Sequence, residues 1–184
     1  KPFCVVAPDP GPGDDDDNGN CLSIDFNENQ IGTFGGSQDR GTVSVIENGA
    51  GVVLQNNAWK AIPLDYNVTT ETVVRFEFRS TKIPEIAGIG MDENISISSN
   101  RTFQLYGTQS WGIRNFKNYF GNGQWTTYEI PIGAFYTGQM RYLFFVADHD
   151  RTPRDGNAYF RNVYLYETTP CDESPGPELN TAGL

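Results

Sequence analysis

Histidine is almost missing from this chain: a single one, His149, stands among 184 residues. One histidine cannot build a zinc site of several His and Cys ligands. No Gly-x-Ser-x-Gly turn is present either, so it has no serine nucleophile to serve as base. Walker and Rossmann glycine patterns are absent as well. No apolar run approaches the roughly 18 residues that a membrane-spanning helix needs. Bases are scarce, with 13 Lys and Arg against 23 Asp and Glu, and the net charge of −10 argues against nucleic acid or an anionic membrane as partner. Two carboxylates would suffice for a glycosidase, but a domain of this size has little room for a deep cleft, and no enzyme is expected.

The surplus acid is not spread evenly. Residues 1–20 hold five Asp and one Lys, residues 167–184 hold four acids and no base, and the body between them is close to neutral. Both ends are also rich in Pro and Gly, as in Ala7-Pro-Asp-Pro-Gly-Pro-Gly13 and Ser174-Pro-Gly-Pro177. This is tail composition, so the chain divides into an N-terminal arm (1–20), a globular body (21–167) and a C-terminal tail (168–184).

The three cysteines, Cys4, Cys21 and Cys171, avoid the body altogether. A Cys21–Cys171 staple would close a loop of about 150 residues, worth roughly 4–5 kcal/mol by loop entropy, and would leave Cys4 for a bond between molecules or as a free thiol. A local Cys4–Cys21 pair that leaves Cys171 over is the alternative. Three glycosylation sequons begin at Asn67, Asn94 and Asn100. Cysteine usage and sequons together point to an extracellular, secreted protein.

Within the body no window shows a 3.6-residue apolar period. Short β-branched and aromatic runs alternate instead with Gly, Asn and Asp. Thr72–Arg79 places Val74, Phe76 and Phe78 on one face and Arg75, Glu77 and Arg79 on the other. Tyr142–Ala147 is apolar on both faces, as a central strand covered on both sides would be. Further strands are expected at Leu22–Phe26, Thr42–Glu47, Gly51–Gln55, Trp59–Leu64, Ile86–Met91, Thr102–Tyr106, Trp125–Ile132 and Tyr159–Tyr166, with turns at Asn48-Gly49, Asn122-Gly123 and Asp155-Gly156. The expected fold is all-β: an antiparallel two-sheet β-sandwich, jelly-roll-like, with extended tails.

Two clusters are candidates for binding. The acidic segment Asp148–Asn157 resembles a calcium loop, in which Asp148, Asp150 and Asp155 would supply oxygens and Asp92 would complete the shell if it lay at the same end. The same acids could instead pair with Arg151 and Arg154. Trp59, Trp111, Trp125 and Tyr119 stand near Gly/Asn turns, where exposed rings would stack on a pyranose; the alternative is that they fill the core.

Longer motifs add a resemblance. Asn100-Arg-Thr-Phe-Gln-Leu-Tyr-Gly-Thr-Gln109, Trp111-Gly-Ile113, Tyr128-Glu-Ile-Pro-Ile-Gly133, Phe135-Tyr-Thr-Gly138 and Tyr142-Leu-Phe-Phe-Val-Ala-Asp-His-Asp150 resemble a secreted β-sandwich domain of the carbohydrate-binding-module type, found on extracellular proteins of environmental bacteria. The resemblance implies carbohydrate binding or adhesion rather than catalysis, and calcium ligation at Asp92, Asp148 and Asp150. With its tails the chain is also similar to the protomer of glycan-coated extracellular fibrils. The apolar arm Lys1–Pro8, through Phe3, Val5 and Val6, would add as a strand to the sheet edge of another copy, and repetition would make a filament. The sequence thus leads to a non-enzymatic structural protein whose partners are copies of itself and glycans, with calcium as cofactor. A secreted carbohydrate-binding module is the alternative.

Overall fold

The computed structural model describes residues 21–168. Strands β1 (Leu22–Ser23), β2 (Gly32–Thr33), β3 (Thr42–Ile46), β4 (Gly51–Gln55), β5 (Ala58–Val68) and β6 (Thr72–Arg79) are followed by β7 (Ile86–Asp92), β8 (Thr102–Tyr106), β9 (Thr126–Ile130), β10 (Gly138–Asp148) and β11 (Asn157–Glu167). They form two antiparallel sheets. The first has the order β3-β4-β11-β6-β9, with β1 continuing along β11 where β4 leaves it; the second has the order β2-β5-β10-β7-β8. Among the described residues there is no α-helix. The expected all-β sandwich is the observed one.

Alternation decides what lies between the sheets. Val74, Phe76 and Phe78 of β6 point inward, as their period of two requires, and meet Phe160 and Leu165 of β11 and Leu143, Phe145 and Ala147 of β10. Phe160 anchors this core, its ring centroid 5.2 Å from that of Phe78 and 5.1 Å from that of Phe145. The last strand of the body lies against the first, Leu22 opposite Leu165.

The outer faces of the two sheets have different fates. On the β10 sheet, Phe144 and Val146 point away from the core into a second apolar layer with Phe34, Trp59, Ala61 and Ile86, flanked by Ile97, Trp111 and Tyr142. Phe34 stacks on Phe144 with centroids 4.3 Å apart. Room for Phe144 comes from Gly90 on the neighbouring strand: a Cβ there would collide with the Arg101 carbonyl and lie 2.6 Å from Phe144 Cζ. Loops therefore cap this sheet, which explains a β10 strand apolar on both sides. Among the described residues no such layer covers the outer face of the β11 sheet.

Candidate functional site

The open face begins with the alternation of β6, whose outward residues are Arg75, Glu77 and Arg79. Register then sets their neighbours. One row across the sheet reads Val53, Tyr159, Arg79, with Trp125 next in line. The second reads Gly51, Arg161, Glu77, Thr127, and the third Tyr164, Arg75, Glu129. Tyr164 reaches this face only through a bulge. The pairing of β11 with β6 shifts between Arg161 and Tyr164, and Asn162 takes up the extra residue in a left-handed conformation (φ 49°).

Charge and ring faces interlock here. The Arg161 guanidinium lies 4.2 Å from the Trp125 ring centroid, and Arg79 lies 4.7 Å from Trp125 and 4.6 Å from Tyr159. Arg161 is fully engaged: Nε and Nη2 donate to Glu77 at 2.7 and 3.2 Å, and Nη1 donates to Glu47 at 3.0 Å. Asn162 Nδ2 donates to the same Glu77 carboxylate at 2.7 Å. These bonds, Arg161's first, outweigh burial and hold the Glu77 carboxyl below its usual range. Beside them a shallow depression of about 490 Å³ is lined by Arg75, Glu77, Thr127, Arg161, Asn162 and Tyr164. An open sheet carrying rings, fixed hydrogen-bonding groups and a shallow trough can lie along an extended polar ligand.

No family model and no curated protein matches the chain. Among solved structures it is similar to a family 30 carbohydrate-binding module at 12% identity and TM-score 0.48, over 89% of this chain and 96% of that one. A variant of a family 29 carbohydrate-binding module aligns at 12% identity and TM-score 0.44, over 85% and 98%. An exo-1,3/1,4-β-glucanase from a Pseudoalteromonas species aligns at 14% identity and TM-score 0.46, over 74% of this chain and 17% of that one.

The aromatic residues singled out from the sequence separate. Trp59 and Tyr119 are buried, 3% and 6% exposed. Trp111 packs edge-on against Trp59 in the second apolar layer, and only Trp125 stands on the open face. The three tryptophans therefore do not share a surface. Tyr159, Tyr164, Arg79 and Arg161, absent from the sequence candidates, complete the face. Arg75, Glu77 and Arg79 were legible as the solvent side of β6, but nothing marked that side as a site.

The expected calcium ligands do not assemble either. Asp92 opposes Tyr142 while Ile86, at the other end of β7, opposes Asp148, so the two acids lie some six residues apart along the sheet, about 20 Å. Asp92 is buried and accepts from the backbone N–H groups of Glu93 and Asn94. Asp155 is exposed and faces Lys82 at 3.7 Å and His149 at 3.9 Å. Among the described residues no three His, Cys, Asp or Glu side chains gather as a metal site. The 148–156 segment is an ion-paired loop: Asp150 donates its N–H to Glu85, Arg151 pairs with Glu85 at 2.9 Å, and His149 Nδ1 accepts from the Gly156 N–H. The lone histidine is a clasp for this loop.

The sequon residues Asn67, Asn94 and Asn100 are all exposed. Asn67 lies on β5 and the other two in the segment between β7 and β8, so all three belong to the capped side of the sandwich. Cys21 stands just ahead of β1. Cys4, Cys171 and the arm residues Phe3, Val5 and Val6 lie outside the described residues.

Proposed function

We propose that this protein is a secreted, non-catalytic domain that docks along a polysaccharide through the outer face of its β11 sheet. The observation that carries the reading is the contrast between the two outer faces: one sealed by an apolar layer, the other uncovered among the described residues, with Trp125, Tyr159 and Tyr164 beside Arg75, Glu77, Thr127 and Asn162. A pyranose offers an apolar ring face to an aromatic side chain and hydroxyls to carboxylate, amide and guanidinium groups. Glycans attached at Asn67, Asn94 and Asn100 would stand on the opposite side and leave this face clear.

Affinity electrophoresis through gels containing a panel of soluble polysaccharides tests the reading. Tyr164→Ala and Trp125→Ala are expected to lose about tenfold or more in affinity, as central aromatic contacts do. Phe120→Ala, which removes a ring 92% exposed that does not line the depression, is expected to leave retention unchanged. Retention equal in all four proteins would sink the proposal.

Assembly into a filament is the second reading, and one feature favours it. Strand β3 is the outer strand of the β11 sheet, and Val45 on it is exposed. A strand supplied by another copy, such as the arm around Phe3, Val5 and Val6, would extend the sheet there. Deleting residues 1–20 is then expected to abolish filaments seen by electron microscopy without moving the thermal midpoint. Filaments that survive the deletion, or a full chain that stays monomeric, would exclude this route.

A further inference from the structure

Three arginines stand on the open face, and two of them have carboxylates. Arg161 is clamped by Glu77 and Glu47, and Arg75 pairs with Glu129 at 3.4 Å. Arg79 differs. Its guanidinium lies in the corner formed by the rings of Trp125 and Tyr159, which stand at 87° to each other; no ion pair or hydrogen bond joins it to any described residue, and its Nε is buried without a partner. A guanidinium cornered by two rings is partly stripped of water and restricted in position, so little further order is lost when its two terminal N–H groups meet a planar acceptor. The described residues offer this charge ring faces but no carboxylate.

We propose that Arg79 is the specificity-determining residue of the face, and that the polysaccharide it selects is acidic, its carboxylate accepting two parallel hydrogen bonds from Nη1 and Nη2 of Arg79. This rests on the reading of the β11 sheet as a glycan-docking face. Arg79 and Arg75 are four residues apart along β6, about 13 Å, so a carboxylate at Arg79 leaves the chain free to run over the depression toward Tyr164 and Arg75. Attraction by overall charge plays no part, because the protein carries a net charge of −10 and repels polyanions in general. Recognition of an acidic chain must therefore be local, and Arg79 is where the face keeps an uncompensated cation.

The test uses the full chain with three polymers: polygalacturonate, the same polymer with its carboxyls methyl-esterified, and an uncharged glucan. The wild type is expected to bind polygalacturonate about ten- to a hundredfold more tightly than the methyl ester, the range for losing charge-assisted hydrogen bonds. Arg79→Gln should erase that preference while its melting midpoint stays at the wild-type value. If the variant melts early, the comparison of acid with ester on the wild type decides alone. Equal binding of acid, ester and glucan would overturn the assignment to Arg79 and leave polysaccharide docking standing. Binding of none of the three would overturn both.

Discussion

Trp59→Ala is expected to cost roughly 3–5 kcal/mol of stability, the range for emptying a buried Trp or Phe site. The side chain sits in the second apolar layer with Phe34, Ile86, Phe144 and Val146, and its ring meets that of Trp111 at 5.9 Å. Its indole Nε1 also donates to Asp148 Oδ1 at 2.9 Å. Burial already pushes the Asp148 carboxyl up, and the Trp59 bond works against that push. Truncation therefore opens a cavity and takes a donor from a carboxylate that sits partly out of water. Chemical denaturation reads the loss directly, and the thermal midpoint should fall by about 10 °C for a body of this size. Trp59→Phe keeps most of the packing and loses only the hydrogen bond, so its cost should be nearer 1 kcal/mol. Neither variant should change the polysaccharide retention of folded protein, whereas Trp125→Ala should change retention and leave the midpoint almost in place. The reverse pattern would mean that the capped face, not the open one, is the binding surface.

Why two tryptophans with similar Gly/Asn neighbours have opposite fates was not written in their surroundings. Strand positions were legible where alternation was strong: β6 runs over the expected Thr72–Arg79, and β10 is apolar on both sides because it is covered on both sides. The Asn48-Gly49 turn joins β3 to β4 as a hairpin should. Other features depend on contacts that no local pattern records. Strand β5 runs through Pro63 because the two-residue β2 borders it only at Lys60 and Ala61, leaving Pro63 on a free edge. The binding face depends on the bulge at Asn162: strict alternation would have put Tyr164 in the core and Leu165 outside, and one left-handed residue exchanges them. Asp92 and Asp148 looked like partners because both follow apolar strands, but antiparallel register sends them to opposite ends.

The acid limb of the stability curve is expected to depend on Glu85, a carboxylate only 2% exposed at the foot of β7. Burial alone would raise its pKa. The Asp150 N–H at 2.9 Å and the Gln109 amide at 2.7 Å outweigh it, with Arg151 alongside, and hold the carboxyl below its ordinary value. A depressed folded pKa means that the stability Glu85 contributes is complete above about pH 4.5 and disappears as pH falls through the folded value. Glu77 and Glu167 shift in the same direction, the latter because the hydroxyls of Thr69, Thr72 and Tyr66 overcome its burial. Asp92 and Asp148 shift upward, mainly through burial, and so oppose the trend: their charged forms cost stability near neutrality and are relieved by acid. Glu85→Gln is uncharged at every pH and is expected to lose about 2–3 kcal/mol at pH 7, chiefly through the buried donors it no longer satisfies. Arg151→Gln should lose less than about 1 kcal/mol, because Arg151 is 77% exposed and water replaces its partner. Followed by denaturation from pH 7 to pH 3, the wild type and Glu85→Gln should converge as the native carboxyl takes up its proton. Curves that stay parallel over that range would mean that Glu85 is held by its shape and not by its charge, and the loop that carries Asp148 against Trp59 would then owe its position to packing alone.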